Sequence, residues 1–140
     1  VEGIGKLLDD PEGSRIVLVG AGDLGRAVLG FMKGRSSALT IVGAFDNDPA
    51  KIDRMIHGYR CRSMDELESA IEAEQAQVAI LTTPADGAQG VCDRLVATGI
   101  NGIVNFAPAP LIVPEGVWVE RVDIETALEK VACLIRGVEN

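Results

Sequence analysis

Long apolar runs are missing from this sequence. No stretch approaches the ~20 residues that span a bilayer, so no transmembrane helix is expected. The N-terminus lacks the basic-then-apolar pattern of a signal peptide. Positive charge is also short, with 13 Lys and Arg against 21 Asp and Glu, a net charge of −8. A domain this acidic repels the phosphate backbone, and it has no polybasic or amphipathic face for a membrane surface, so by itself it suits neither partner. Cysteine is scarce. Cys61, Cys92 and Cys133 are odd in number and far apart, which excludes a disulfide framework and a zinc-type spacing and points to a reducing, cytoplasmic compartment. Cys92 and Cys133 fall on apolar helix faces, as packed cysteines do. His57 is the only histidine and Tyr59 the only tyrosine. No Ser-x-x-x-Tyr-x-x-x-Lys arrangement is possible, and His57 sits in a polar turn, Ile56-His57-Gly58, where an exposed loop residue is expected rather than an acid–base group. There is no internal repeat beyond the alternation described below and no low-complexity segment.

What is present is concentrated between Arg15 and Asp46. The apolar run Ile16-Val17-Leu18-Val19 turns at Gly20-Ala21-Gly22-Asp23-Leu24-Gly25. An amphipathic stretch follows, with Leu24, Ala27, Val28, Phe31 and Met32 at helical spacing. A second β-type run from Leu39 to Phe45 ends on Asp46. Strand, glycine turn, helix, strand and terminal acid form the dinucleotide-binding fingerprint in its required context. Gly20 permits the tight turn, Gly22 lets a pyrophosphate lie against bare backbone, and Gly25 lets the helix pack close on the sheet. The free N–H groups at Asp23 and Leu24 would face the phosphates. Asp46, 21 positions after Gly25, can accept both hydroxyls of an adenosine ribose and would repel a 2′-phosphate, which favours NAD over NADP. The competing view of Asp46 is a solvated acid opening the turn Asp46-Asn47-Asp48-Pro49.

At 140 residues and 47% apolar composition the chain is expected to be one domain with a real core. Along it, residues 1–14 are expected to hold a helix end and a turn. Pro49 to Met55 suggests a short helix or turn, and Gly58 to Arg62 a short strand. Ser63-Met64-Asp65-Glu66 is a capping box opening a helix to about Ala73, with Leu67 and Ile71 inward. Val78 to Thr82 is a buried strand. Thr83 is expected to cap a helix with Pro84 at its first position. Ala88, Val91, Cys92, Leu95 and Val96 form its apolar face, and Gly99 ends it. Strands over Gly102–Asn105 and Val117–Val122 follow, and Asp123 caps a last helix to about Arg136. Strands alternating with helices predict an α/β doubly wound parallel sheet of the Rossmann type. The last helix carries Ile124, Ala127, Leu128, Val131 and Ile135 on one stripe, widened by Ala132, Cys133 and Leu134. That width suits a dimer arm, the alternative being a terminal helix on the sheet.

Ligands in such folds bind at the C-terminal ends of the strands. Besides the glycine turn, two strand ends matter: Thr82-Thr83-Pro84-Ala85 and Asn105-Phe106-Ala107-Pro108. A hydroxyl of Thr82 or Thr83 could reach a phosphate or ribose, or merely cap a helix. Phe106 and Pro108 offer a flat apolar wall for a nicotinamide, with plain core as the alternative for Phe106. An apolar wall without a nearby carboxylate penalises the cationic oxidised ring, which predicts a preference for NADH. With no acid–base group at that wall and no second domain for a substrate, the chain is expected to bind NAD(H) without turning it over.

These residues resemble the NAD(H)-binding domain of the Rex family of redox-sensing bacterial transcriptional repressors. The likeness runs from about Arg15 to the end, through Val17–Gly25, Ala44–Pro49, Ile80–Ala85, Asn105-Phe106-Ala107-Pro108 and Val113–Glu120. The resemblance implies a homodimer in which the C-terminal helix swaps to the partner, and a dimer geometry that NADH changes so as to release DNA. It places Gly20 to Gly25 and Asp46 on the adenosine half and pyrophosphate, and Thr82 to Ala85 and Asn105 to Pro108 on the nicotinamide half. It also implies that Asp123 takes part in the switch. Where the family often carries a tyrosine that pairs with this acid, the present chain has Arg62, which could pair with the partner's Asp123 or be an ordinary surface residue. The chain thus divides into residues 1–14 as linker, 15–122 as the NAD(H)-binding domain and 123–140 as the dimerisation helix. The family's winged helix would precede Arg15, so a fragment, or a dimer that has lost operator binding, is expected. The rival readings are the cofactor domain of a nucleotide-sugar dehydratase or dehydrogenase, a coenzyme A-binding module, and a dimeric scaffold.

Overall fold

The fold is taken from a computed structural model, which describes residues 13–35 and 38–137. The helix end expected before Gly13 lies outside the described residues. Among the described residues, seven strands form one sheet: β1 Ser14–Val19, β2 Leu39–Asp46, β3 Met55–Ile56, β4 Tyr59–Ser63, β5 Val78–Leu81, β6 Gly102–Asn105 and β7 Trp118–Arg121. The α-helices described beside them are α1 Asp23–Met32, α2 Leu67–Glu74, α3 Ala85–Ala97 and α4 Ile124–Ile135. The strand order is β3-β4-β2-β1-β5-β6-β7, and the pairings from β4 across to β7 are all parallel. The doubly wound sheet is therefore as expected, with one addition. Met55–Ile56 pairs antiparallel with Tyr59–Arg60, because His57 (φ 51°) and Gly58 (φ 88°) supply the two positive-φ residues of a tight hairpin turn.

β1 explains the two-layer core. Its side chains alternate, so Ile16 and Leu18 join Leu29 of α1 on one face, while Val17 and Val19 join Leu67, Ile71, Ala88, Cys92 and Leu95 of α2 and α3 on the other. A strand covered on both faces has no polar side to show, hence its unbroken apolar run.

Three local expectations are corrected. The buried face of α1 is Gly25 and Leu29, flanked by half-buried Val28 and Met32, whereas Leu24, Ala27 and Phe31 are exposed. The helix is rotated so that the bare Cα of Gly25 meets the sheet, and its Cβ-less approach decides which side faces in. Second, Ser63 accepts the N–H of Asp65 and starts a one-turn 3₁₀ segment, Met64–Glu66, before α2. Glu66 turns to Arg62 instead of closing the capping box. Third, Pro84 itself is the N-cap of α3, with no side-chain cap bond from Thr83. Two helix-end expectations hold: Gly99 at φ +107° follows α3, and Asp123 caps α4 by accepting the N–H of Thr126 at 3.0 Å. Cys133, expected to pack in a core, is only half-buried, on a helix with no buried residue in the described chain.

The helices α2 and α3 are tied by one ion pair. Arg94 donates from Nε and Nη2 to the two oxygens of Glu68, each at 2.7 Å, and to the carbonyl of Met64 at 2.7 Å. The hydrogen-bonded guanidinium holds the Glu68 carboxyl below its ordinary value of 4.5. A carboxylate with a lowered folded-state pKa contributes stability above its unfolded value, and that contribution disappears as pH falls through the folded value. Both side chains are over a third exposed, so the pair is worth at most about 1 kcal/mol. Glu68→Gln should therefore cost up to that amount at pH 7, and the difference from wild type should vanish in urea unfolding curves as pH falls through the lowered folded-state value of Glu68. A constant difference across that range would refute the assignment.

Candidate functional site

The site is built where β2, β1, β5 and β6 end side by side. Gly20 leaves β1 with φ +106°. A Cβ there would lie 2.7 Å from the carbonyl carbon and oxygen of Thr82, so only glycine fits this turn. The turn is held from both sides. The N–H of Gly20 donates to the Phe45 carbonyl at 2.8 Å, and the hydroxyl of Thr82 donates to the Gly20 carbonyl at 2.6 Å. Thr82 is thus a strut beneath the glycine loop, its proton already committed. Gly22 stands at the N-terminus of α1 with no side-chain cap, followed by exposed Asp23. The first N–H groups of the helix are left without intrahelical partners and can serve an anion.

Asp46 stands beside this loop. Its Oδ2 accepts the N–H of Ala21 at 2.7 Å and its Oδ1 accepts the N–H of Asp48 at 2.8 Å. The carboxylate is fixed by backbone donors on both oxygens, and each oxygen keeps a further lone pair for an incoming hydroxyl.

Three hollows run along the strand ends, each sharing residues with the next. The first, about 330 Å³, lies between Asp46, Met64, Pro84, Asp86 and Val91. The second, about 460 Å³, lies over Gly20, Gly22, Asp46, Lys51 and Thr82. The third, about 200 Å³, is lined by Leu24, Phe106, Ala107, Pro108, Asp123 and Glu125 among others. Asp46 and Thr83 border the first and second, and Phe106 and Pro108 the second and third. The groove so formed has an acid-lined end, a glycine-floored middle and an apolar end.

Thr83 carries the one buried side-chain oxygen among the described residues without a hydrogen-bond partner. Buried hydroxyls are normally satisfied, and this one lies on a residue that borders the groove. Asn105 behaves differently. It is 1% exposed, its Oδ1 accepts the N–H of Ala107 and its Nδ2 donates to the carbonyl of Ala109. Its side chain shapes the loop that presents Phe106 and Pro108.

Of the residues singled out from the sequence, Gly20, Gly22, Leu24, Asp46, Thr82, Thr83, Pro84, Phe106, Ala107 and Pro108 line this groove, whereas Ala21, Asp23, Gly25 and Asn105 do not. Sequence reasoning did not find Met64, Asp86, Gly87 and Val91, which the sheet order brings opposite Asp46, nor Lys51 and Glu125. One argument is corrected. The apolar end does contain carboxylates, since α4 begins there and carries Asp123 and Glu125 into its lining. Asp123 is already engaged, capping Thr126 and facing Arg121 at 3.8 Å. Arg62 lies elsewhere, paired with Glu66 at 2.9 Å and 5.5 Å from the centroid of the Phe45 ring. His57 is exposed in the hairpin turn, away from the groove lining.

Comparison with known proteins gives a consistent picture. Residues 12–109 match the family model described as CoA binding domain. The chain is 41% identical over 121 residues to the redox-sensing transcriptional repressor Rex of Carboxydothermus hydrogenoformans, covering 86% of this chain and 58% of that protein. It is 38% identical over 131 residues to Rex of Bacillus subtilis, covering 94% and 60%. The chain therefore spans about three fifths of the length of these curated relatives. Among solved structures it superposes on RSP, a Rex-family repressor, at a TM-score of 0.86 with 29% identity, covering 97% of this chain and about two thirds of that one. RSP has been solved with β-NADH and with β-NAD+ and operator DNA.

Proposed function

This chain is a Rex-type member of the CoA binding domain family, and on that premise we propose that it is the NAD(H)-sensing module of a redox-responsive repressor, binding the dinucleotide without consuming it. The relatives named above are repressors, and RSP holds both redox forms of the dinucleotide.

The observation that carries the reading is the fixed carboxylate of Asp46. With both oxygens anchored to backbone N–H groups, it offers acceptors to the two hydroxyls of a ribose. The first hollow holds Asp46 and Asp86 and no Lys or Arg among its lining residues. A phosphomonoester on that ribose would meet negative charge with no counter-charge, which disfavours both NADP(H) and coenzyme A despite the family's description. The adenine is assigned to the slot between Met64, Pro84 and Val91, the diphosphate to Gly20 and Gly22, and the nicotinamide to Phe106 and Pro108. The Thr83 hydroxyl is assigned as a ligand to the nucleotide. The preference for NADH rests on a narrower ground than an acid-free wall: Phe106 and Pro108 are apolar, Asp123 is occupied by its cap and by Arg121, and Glu125 is the other carboxylate of this end.

Coupling to DNA is assigned to the dimer. The apolar stripe of α4 has no cover within the described chain, with Leu128 65%, Leu134 65% and Ile135 80% exposed. A second copy of the chain is its proposed partner, the helix crossing between subunits. DNA contact belongs to a part of the relatives that this chain does not match. A switch requires the dinucleotide to bind two dimer states with different affinity. A pair between Arg62 and Asp123 across the dimer would require both to leave their present partners, Glu66 and Arg121. No described helix is long and apolar enough to cross a membrane, and action in the cytoplasm follows from the assigned role.

Titration calorimetry with NADH, NAD, NADPH and coenzyme A tests the reading. NADH is expected to bind more tightly than NAD, with NADPH and coenzyme A at least ~30-fold weaker than NADH, a loss of about 2 kcal/mol. Equal binding of NAD and NADH would remove the sensing role. Binding of coenzyme A alone would overturn the assignment of Asp46.

A further inference from the structure

The middle of the groove poses an electrostatic problem. A dinucleotide brings a doubly charged diphosphate to a protein whose net charge is −8. The charged side chains lining this hollow are Asp46, Asp48 and Lys51. The N-terminus of α1 contributes its dipole, but Asp23 sits in its first turn and offsets part of it. Lys51 is thus the one cation among the lining residues.

Its placement is not accidental to the fold. The turn after β2 is wound on Asp48, whose Oδ1 accepts the N–H of Ala50 at 2.9 Å and whose carbonyl accepts the N–H groups of Lys51 and Ile52 at 2.9 and 3.2 Å. The N–H of Asp48 in turn is held by Asp46. The same carboxylate that orients the ribose end therefore anchors the turn that returns Lys51 over the glycine loop. The Lys51 Nζ comes to 3.9 Å from where a Cβ on Gly22 would lie, the space that the bare glycine leaves open. Its ionic partner there is loose, Asp48 Oδ2 at 3.9 Å. An ammonium without a close partner, beside an open glycine, needs only a small side-chain movement to reach charge-assisted hydrogen-bond distance of an anion in that space.

We propose that Lys51 binds the diphosphate bridge of the dinucleotide, its ammonium exchanging the loose contact with Asp48 for phosphate oxygens lying over Gly22. The inference rests on the NAD(H) reading above and adds a residue to it. It divides the labour between two neighbouring groups: Asp46 selects the unphosphorylated ribose, and Lys51 neutralises the bridge. The placement of Lys51 on the Gly22 side of the turn, and not in the lining of the first hollow, explains why one cation can serve the diphosphate without also inviting a 2′-phosphate.

The test compares wild type, Lys51→Met and Lys51→Arg. NADH and ADP-ribose are titrated at two salt concentrations, and adenosine, which lacks phosphate, is followed by ligand-observed NMR. Lys51→Met is expected to weaken NADH and ADP-ribose about tenfold, the loss of one charge-assisted contact. Adenosine affinity should stay within twofold, the salt dependence of NADH binding should flatten, and Lys51→Arg should restore most of the affinity. The Lys51 side chain is 37% exposed, so its removal should leave the melting temperature nearly unchanged. If wild type binds NADH and Lys51→Met binds it equally well with the same salt dependence, the Lys51 assignment falls and the NAD(H) reading stands. If adenosine weakens as much as NADH, Lys51 acts on the adenosine half or on the turn, and the diphosphate assignment is wrong. If wild type binds no NADH, both readings fall.

Discussion

Replacing Asp46 with alanine is expected to weaken NADH binding by two to three orders of magnitude. The carboxylate is assigned two ribose hydroxyls, and a hydrogen bond to a charged group is worth about 1.5–3 kcal/mol, with about 1.4 kcal/mol per decade of affinity. The substitution also strands the N–H groups of Ala21 and Asp48, which the carboxylate now accepts at 2.7 and 2.8 Å. The glycine loop and the turn carrying Lys51 both lose an anchor, so the melting temperature should fall by several degrees as well. Asp46→Asn separates the two effects only partly. Its amide NH₂ must face either the Ala21 or the Asp48 donor, and one of these contacts becomes repulsive. The decisive readout is therefore a ratio. In Asp46→Ala the NADPH-to-NADH affinity ratio should rise at least tenfold, because the carboxylate that repels the 2′-phosphate is gone. Loop damage alone would weaken both ligands together and leave the ratio where it was. An unchanged NADH affinity would remove Asp46 from the site.

The second large effect concerns stability. Gly25→Ala should destabilise the fold by about 3–5 kcal/mol, the upper range for forced overpacking, and lower the melting temperature by roughly 10 °C or more. A Cβ at position 25 would lie 1.8 Å from the Gly20 carbonyl oxygen and 2.9 Å from the Thr82 hydroxyl. These two atoms form the strut under the glycine loop, so neither can yield without opening the site. The helix α1 must instead move off the sheet, and Leu29, which is fully buried, moves with it. Gly90→Ala provides the opposite control. Gly90 is exposed in α3, and a Cβ there meets nothing within 4 Å. Alanine should stabilise that helix by roughly 0.5–1 kcal/mol. Thermal melts of both variants check the pair. Equal, small effects would mean that the close approach of α1 to β1 is not what holds this corner.

The contrast between these glycines shows what could be seen before the fold. The spacing of Gly20, Gly22 and Gly25 after an apolar run, with an acid closing the next strand, located the loop, the helix start and Asp46. The reason is that each needs a particular residue type: positive φ at Gly20, close packing at Gly25, a carboxylate at a strand end. The alternation of strands and helices gave the sheet's parallel winding, and the turn residues marked most element ends to within one or two residues. The run of apolar residues on α4 pointed to an uncovered helix, and none of its residues is buried in the described chain.

Tertiary structure decided the rest, wherever the outcome depended on which elements meet. Helical periodicity put Leu24, Ala27, Val28, Phe31 and Met32 on the apolar face of α1. The glycine that can touch the sheet chose Gly25 and Leu29 inward and turned Leu24 toward the groove, where it borders the second and third hollows. Thr82 looked like a ligand and is a strut, because the strand order puts β5 beside β1 and its hydroxyl beneath the Gly20 carbonyl. Asn105 looked like a site residue and is a loop former, its amide satisfied by Ala107 and Ala109. Asp123 and Glu125 entered the apolar end only because β7 delivers α4 to the strand ends. Lys51 carried no motif, five positions past Asp46 in a polar turn, and only the winding of that turn on Asp48 set its ammonium over Gly22. Residue identity determined this protein's local conformations and the chemistry available to it. The packing of strands and helices determined which of those chemical groups face the groove and which are used up in building it.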